Sequence, residues 1–402
     1  MENPMEYECS KRIQQLQLAM QNEEISGFLI TQNVDLYYFA ASMQTGYLFV
    51  PVIGDPIYYV RRSVPRAIEE AVVQTVPLGS FRKFGERLKL DFPQVFNLSN
   101  PIVAMEYDVA PAQLVNRITG IIQQATITDG STLVREVRMI KSQYEILAIK
   151  EAARVVNFAL NNAIGYIYEG MPEYELIARI EFDLRMNGHI GMMRMRAYNQ
   201  EIITGAVGAG ESIATPTYFD GPAGGIGLTP ASPQGAGRRL LRRDEPIFVD
   251  IGCCIDGYVI DQTRTLVIGD VPQDMAAAYE VAEQIMRSTE EQLRPGTICE
   301  ELYTSALEKA KSAGLSAFYM GYGSDQVSFL GHGIGLEIDE LPVLAKGFTI
   351  PLVAGMVIAI EPKFTFPGRG VVGIENTYVI TEEGYEKLTI SPEGIIRISE
   401  LS

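Results

Sequence analysis

Ile247-Phe-Val-Asp250-Ile-Gly-Cys-Cys-Ile-Asp256-Gly257-Tyr-Val-Ile-Asp261-Gln-Thr-Arg-Thr265 is the stretch on which the reading of this chain turns. Asp256-Gly257 is a strong two-residue hairpin turn, since both central positions require positive φ and this pair tolerates it. A ladder closed on that turn sets Ile255 opposite Tyr258 and Gly252 opposite Asp261. Asp250, two residues from Gly252, then shares a face with Asp261 as its diagonal neighbour, about 7–8 Å away at the backbone. Two inward acids on an otherwise apolar ribbon are costly unless something cationic compensates them.

Further along, the pattern rhymes. Val357-Ile-Ala-Ile-Glu361-Pro-Lys runs to a turn near Pro367-Gly-Arg-Gly370, and Val371-Val-Gly-Ile-Glu375-Asn-Thr returns. A loop of odd length sets Glu361 across from Glu375, whereas an even one sends them to opposite faces. The sequence leaves that register open. Between the hairpins lies Phe329-Leu-Gly-His332-Gly-Ile-Gly, one of only two histidines in a glycine run whose backbone can approach a ligand closely. The other, His189, follows Asn187-Gly188 and is expected to be a solvated residue at a helix end.

A chain of 402 residues exceeds what one core usually serves, so two domains are expected. The net charge of -17 repels phosphate backbones and anionic headgroups, which speaks against nucleic acid and membrane as partners. The opening MENPMEYECSKRIQQ has no basic start followed by an apolar run, and no stretch is apolar enough for a membrane helix. Cys9, Cys253, Cys254 and Cys299 include no C-x-x-C, and strand neighbours point to opposite faces, so buried free thiols in a reducing cytoplasm are expected.

Residues 11–24 read as an amphipathic helix with Ile13, Leu16, Leu18 and Met20 near one side. Short strands and helices alternate after it, giving an α/β domain over residues 1–134. The second domain, 135–402, starts with a long helix from Ser142 to Tyr168 that carries a Ser142/Glu145 capping box. A helix over 173–186 and a loop over 204–237 dense in Gly and Pro follow. Strands at 246–253 and 258–268, helices at 274–293 and 298–313, and strands near 355–366 and 371–380 complete it.

Asp250, Asp261 in Asp-Gln-Thr-Arg-Thr, His332 in Gly-His-Gly-Ile-Gly-Leu-Glu, Glu361 in Ile-Glu-Pro and Glu375 in Gly-Ile-Glu-Asn-Thr together resemble the M24 metallopeptidases. That family includes methionine aminopeptidase, aminopeptidase P and prolidase, and the first domain resembles that of the creatinase and prolidase branch. The resemblance implies an α+β pita-bread catalytic domain behind a creatinase-type α/β N-terminal domain. It implies two divalent ions, Mn²⁺ or Co²⁺ in preference to Zn²⁺ or Fe²⁺, in keeping with oxygen donors and one imidazole. Asp250 would chelate one ion, Asp261 and Glu375 would bridge both, and His332 and Glu361 would complete the other shell. Glu361 would also shuttle a proton. The implied activity is amide-bond hydrolysis of the Xaa-Pro dipeptidase or aminopeptidase kind, on a small peptide or amide, by a cytoplasmic homodimer.

Three family features are missing. Residues 204–245 hold no histidine, Glu337-Ile-Asp339-Glu340 stands where a second family histidine belongs, and Gly373 takes the place of a prolidase-like arginine. An ionised Asp339 cannot donate to an oxyanion, though it suits a cationic substrate group; the alternative is a solvated loop acid. Tyr218 and Arg369 are candidate replacement donors, with packing or surface roles as alternatives, and Arg264 reads as a structural partner of the acids. The missing donors open a second reading, a creatinase-like or ectoine-hydrolase-like C–N hydrolase on a non-peptide. A non-enzymatic binding module is a third, disfavoured by the intact ligand set.

Overall fold

The structure, a computed structural model, describes residues 4–199 and 201–399. The chain divides into two compact units, Met1–Arg138 and Met139–Ser402. In the first unit a six-stranded sheet runs in the order Gln74–Pro77, Ile57–Val60, Gly46–Pro51, Gly27–Ile30, Ile102–Met105, Thr126–Asp129. Its apolar core gathers Leu29, Phe49, Tyr59, Phe84, Phe92 and Val103. The helix Pro4–Asn22 buries Cys9, Ile13, Leu16 and Met20. Leu18 is exposed, because positions 13, 16 and 20 share a helical stripe that 18 does not.

In the second unit the helix Gln143–Tyr166 starts at the expected capping box. Ser142 Oγ accepts from the Glu145 amide, and Glu145 Oε2 accepts from the Ser142 amide at 2.9 Å. Asp256 and Gly257 take φ of 51° and 92°, and the first hairpin closes on them with Ile255 opposite Tyr258 and Gly252 opposite Asp261. Gly205–Ala209 extends this ribbon along Pro246–Ile255, so the Gly- and Pro-rich loop contributes a strand, followed by the helical turn Gly210–Ile213.

The two long strands expected around Glu361 and Glu375 are each broken at the acid. Val357–Ile360 and Asn376–Ile380 pair within a five-stranded sheet, while Lys363–Phe366 and Gly370–Gly373 form a separate two-stranded ribbon. Pro362 has no amide hydrogen to give the ladder. The Glu375 amide leaves the ladder and donates to Thr263 O at 3.2 Å, stitching the second hairpin to the first. Register nevertheless continues through the break: Ile360 faces Asn376 and Lys363 faces Gly373, which sets Glu361 level with Glu375.

His189 departs from its expected place. It is buried, and its Nδ1 accepts from the Cys254 amide at 2.9 Å, because the chain after the helix folds onto the first hairpin, where the Ile190 amide reaches Cys254 O. All four cysteines are free and buried, and burial pushes the Cys9 and Cys299 thiols up to about 11. Among the described residues, no helix is long and apolar enough to cross a membrane.

Candidate metal centre

The first hairpin brings Asp250 and Asp261, the break in the second brings Glu361 and Glu375, and the strand Phe329–Gly333 brings His332. All five line one cavity. Thr263 Oγ1 donates to Glu375 Oε2 at 2.8 Å, and Thr377 Oγ1 donates to Asp261 O at 2.9 Å, so neighbouring strand residues fix both acids. Arg264 is fully buried behind them and donates to Thr263 O, Glu375 O, Asn376 Oδ1, Pro392 O and Ser391 O. It braces the backbone that carries Glu375.

Lys363 joins this group, although the sequence did not single it out. Its ammonium donates to Glu361 Oε2 at 2.7 Å, Glu375 Oε2 at 2.9 Å and Asp250 Oδ2 at 3.1 Å. Burial opposes the charge, but Asp250, Glu361 and Glu375 together hold Lys363 well above its ordinary value. Burial, then the charges of Glu375 and Asp250, keeps Asp261 well above the usual carboxylate range. Burial also pushes Glu361 up to about 7, with Lys363 pulling the other way. For Glu375 burial is outweighed by Lys363 and His332, and its carboxyl lies below the usual value.

His332 Nδ1 lies 3.1 Å from Gly333 O and 3.2 Å from Asp339 Oδ1, while Nε2 faces Glu361 Oε1 at 3.5 Å. A proton on Nδ1 serves both oxygens and leaves the Nε2 lone pair directed into the centre, the arrangement of a metal-ligating histidine. Burial disfavours the imidazolium, but Asp339 and Glu361 more than offset it, so its value is raised.

The proposed substrate residues separate. Asp339 lines the cavity, half-exposed at its rim. Tyr218 is exposed and outside the lining, though Phe219 and Asp220, next along the chain, belong to it. Arg369 lies on the surface in a two-pronged pair with Asp274, at 2.6 and 2.8 Å, and does not line the cavity.

The model of metallopeptidase family M24 matches residues 148–382, which contain every one of the acids and His332. The chain belongs to metallopeptidase family M24. Residues 12–140 match the creatinase/prolidase N-terminal domain. The Xaa-Pro dipeptidase of Pyrococcus furiosus is 28% identical over 382 residues, 94% of this chain and 97% of that protein. The solved prolidase from Pyrococcus furiosus is 25% identical with a TM-score of 0.75, covering 94% of this chain and 99% of that one. The Xaa-Pro dipeptidase from Bacillus anthracis, 24% identical, shares the fold at a TM-score of 0.82 over 96% and 99%. The architecture is the pita-bread fold of M24 behind a creatinase-type domain, and the chain is a metal-dependent hydrolase of amide bonds.

M24 membership implies divalent metal, and three residues suit an ion. Asp261, His332 and Glu375 each offer one ligand atom, all within 4.8 Å of one another. Glu375 Oε1 is buried with no hydrogen-bond partner among the described residues, an expensive state that a cation relieves. Asp250 and Glu361, expected to complete two shells, each have an oxygen committed to Lys363.

Proposed function

We propose that this M24 hydrolase cleaves the amide bond of a small Xaa-Pro-type peptide, or of a similarly small amide, that presents a neutral or cationic end to the cavity. One observation carries the reading. The cavity, with about 680 Å³ of free space open to solvent, joins the acid cluster to Asp220 and Asp339, and its only cationic side chains among the described lining residues are Lys363 and His332. Lys363 is buried and spent on three acids, and His332 faces Asp339 and Glu361, so a substrate carboxylate finds no available cationic side chain in that lining. A substrate ammonium finds two acids.

Asp261, His332 and Glu375 would hold a divalent ion, which would supply Lewis-acid polarisation of a carbonyl and a lowered pKa for water. Glu361, with its carboxyl near 7, is suited to take a proton and return it to the leaving amine at neutral pH. Asp339 orients His332 through Nδ1 and stands at the rim, where it can receive a cationic substrate end. Phe219, Ile203 and Phe329 furnish apolar wall that excludes water around the bond. The relatives' dipeptidase names support a peptide substrate, while the lack of a free cation favours a second reading, a small non-peptide C–N substrate of the creatinase kind. Mn²⁺ or Co²⁺ as the ion, a homodimer as the assembly and the cytoplasm as the compartment follow from the family resemblance.

Comparing kcat/KM for an Xaa-Pro dipeptide and for its C-terminal amide tests this reading. Without a cationic side chain to receive it, the free carboxylate loses the charge-assisted hydrogen bond, worth about 1.5–3 kcal/mol, that would favour it, so the amide is expected to be turned over at least as well. A clear preference for the free acid overturns it.

A further inference from the structure

Lys363 is placed where a cation is needed, and it is made of the chain itself. Its three N–H groups meet three carboxylate oxygens, on Glu361, Glu375 and Asp250, which uses every donor an ammonium has. Building on the metal-dependent reading above, we propose that the Lys363 ammonium takes the place of one of the two cations, and that the centre holds a single divalent ion on Asp261, His332 and Glu375.

Three observations converge on this. The first is competition for the same oxygens. An ion liganded by Asp250 Oδ2 and Glu375 Oε2 has to approach each to about 2.0–2.2 Å, and the ammonium already lies 3.1 and 2.9 Å from them. An ion on those same oxygens would have to share them with the ammonium, two cations repelling at close range. The second is room. Lys363 pairs directly with Gly373, and a Cβ at 373 would meet Lys363 Cα and Cγ at 2.8 Å. Glycine at 373 leaves the space that the lysine stem fills, so the cation arrives from one strand because the opposite strand has no side chain. The third is what remains. Glu375 Oε1 is buried without a hydrogen-bond partner among the described residues, and His332 Nε2 faces the same side, so one ligand set stays open while the other is filled.

Asp250, Asp261, Glu361 and Glu375 carry four negative charges when ionised, of which one ammonium and one divalent ion answer three. In this arrangement Asp250 is a counter-ion of Lys363 and holds it in place. Lys363 acts as a positioning residue that fixes Glu361 and Glu375 beside the single ion.

Metal-free protein equilibrated with Mn²⁺ and measured by elemental analysis is expected to carry about one ion per chain, and Lys363→Ala about two. Lys363→Gln, closer in size but uncharged, is expected to behave as Lys363→Ala. The frozen wild-type Mn²⁺ protein should give the six-line paramagnetic resonance of an isolated ion, and the variants the multiline spectrum of a coupled pair. Two ions in the wild type, or folded variants that stay at one, overturn the proposal while leaving the metal-dependent reading intact. No ion in the wild type overturns both. If neither variant folds, the wild-type count and spectrum decide.

Discussion

Asp261 is the residue on which the ion-binding argument rests most heavily, because Asp261, His332 and Glu375 can converge on one ion and Lys363 makes no hydrogen bond to the Asp261 carboxylate. Asp261→Asn is expected to abolish stoichiometric Mn²⁺ binding, whereas Asp250→Asn should retain about one ion per chain; equilibrium dialysis separates them. Glu361→Gln is expected to lower kcat by about 10²–10⁴-fold with little change in KM, as removal of a proton carrier does. An unchanged kcat at saturating metal assigns the proton transfer elsewhere. A pH effect follows with a definite sign. Asp250, Asp261 and Glu361 all titrate above their usual values, so the metal-free centre retains protons that an arriving cation displaces. Metal affinity should therefore rise with pH, the contribution of Glu361 levelling off above about 7. Calorimetry in two buffers of different ionisation enthalpy should register proton release, and identical heats would contradict it.

At the scale of the element, the two hairpins differ in how much of them was legible. Asp256-Gly257 dictates the first turn, so Gly252 against Asp261 followed from the sequence alone. The second register depended on loop length. The structure makes it three residues, Pro367 to Arg369, the odd case that sets Glu361 level with Glu375. Lys363 was legible in principle. It lies two residues beyond Glu361, and the period of a strand puts both on one face. What hid it is the absence of any motif containing it, since its role arises only from Gly373 across the ribbon. His189 was misread for a related reason, because nothing local announces that the first hairpin covers that helix end. Arg264 tests how far the joined hairpins depend on one brace. Its five hydrogen bonds serve backbone and side-chain oxygens in a fully buried setting, so Arg264→Met is expected to destabilise folding by about 3–5 kcal/mol. A loss below about 1 kcal/mol in urea denaturation would show the brace to be redundant.

For the whole molecule, the acidic balance seen in the composition reappears in the cavity. A net charge of -17 speaks against anionic partners, and the lining of Asp220 and Asp339 around the acid cluster suits a cationic group. Fold class and the convergence of the five metal-type residues were readable because strand period, turn chemistry and motif spacing all pointed the same way. Of the three proposed substrate residues Asp339 reached the cavity, whereas Tyr218 and Arg369 had only their chemistry to recommend them and the fold turned both outward. Hydrolysis by this chain is proposed to depend on a divalent ion at Asp261, His332 and Glu375. The most direct test is to strip the protein with a chelator, assay it on a proline-containing dipeptide amide, and restore Mn²⁺ stepwise while counting bound metal. Activity should vanish on stripping and return in proportion to the ion bound, reaching its plateau as that stoichiometric site fills. Full turnover by the stripped protein would contradict the account.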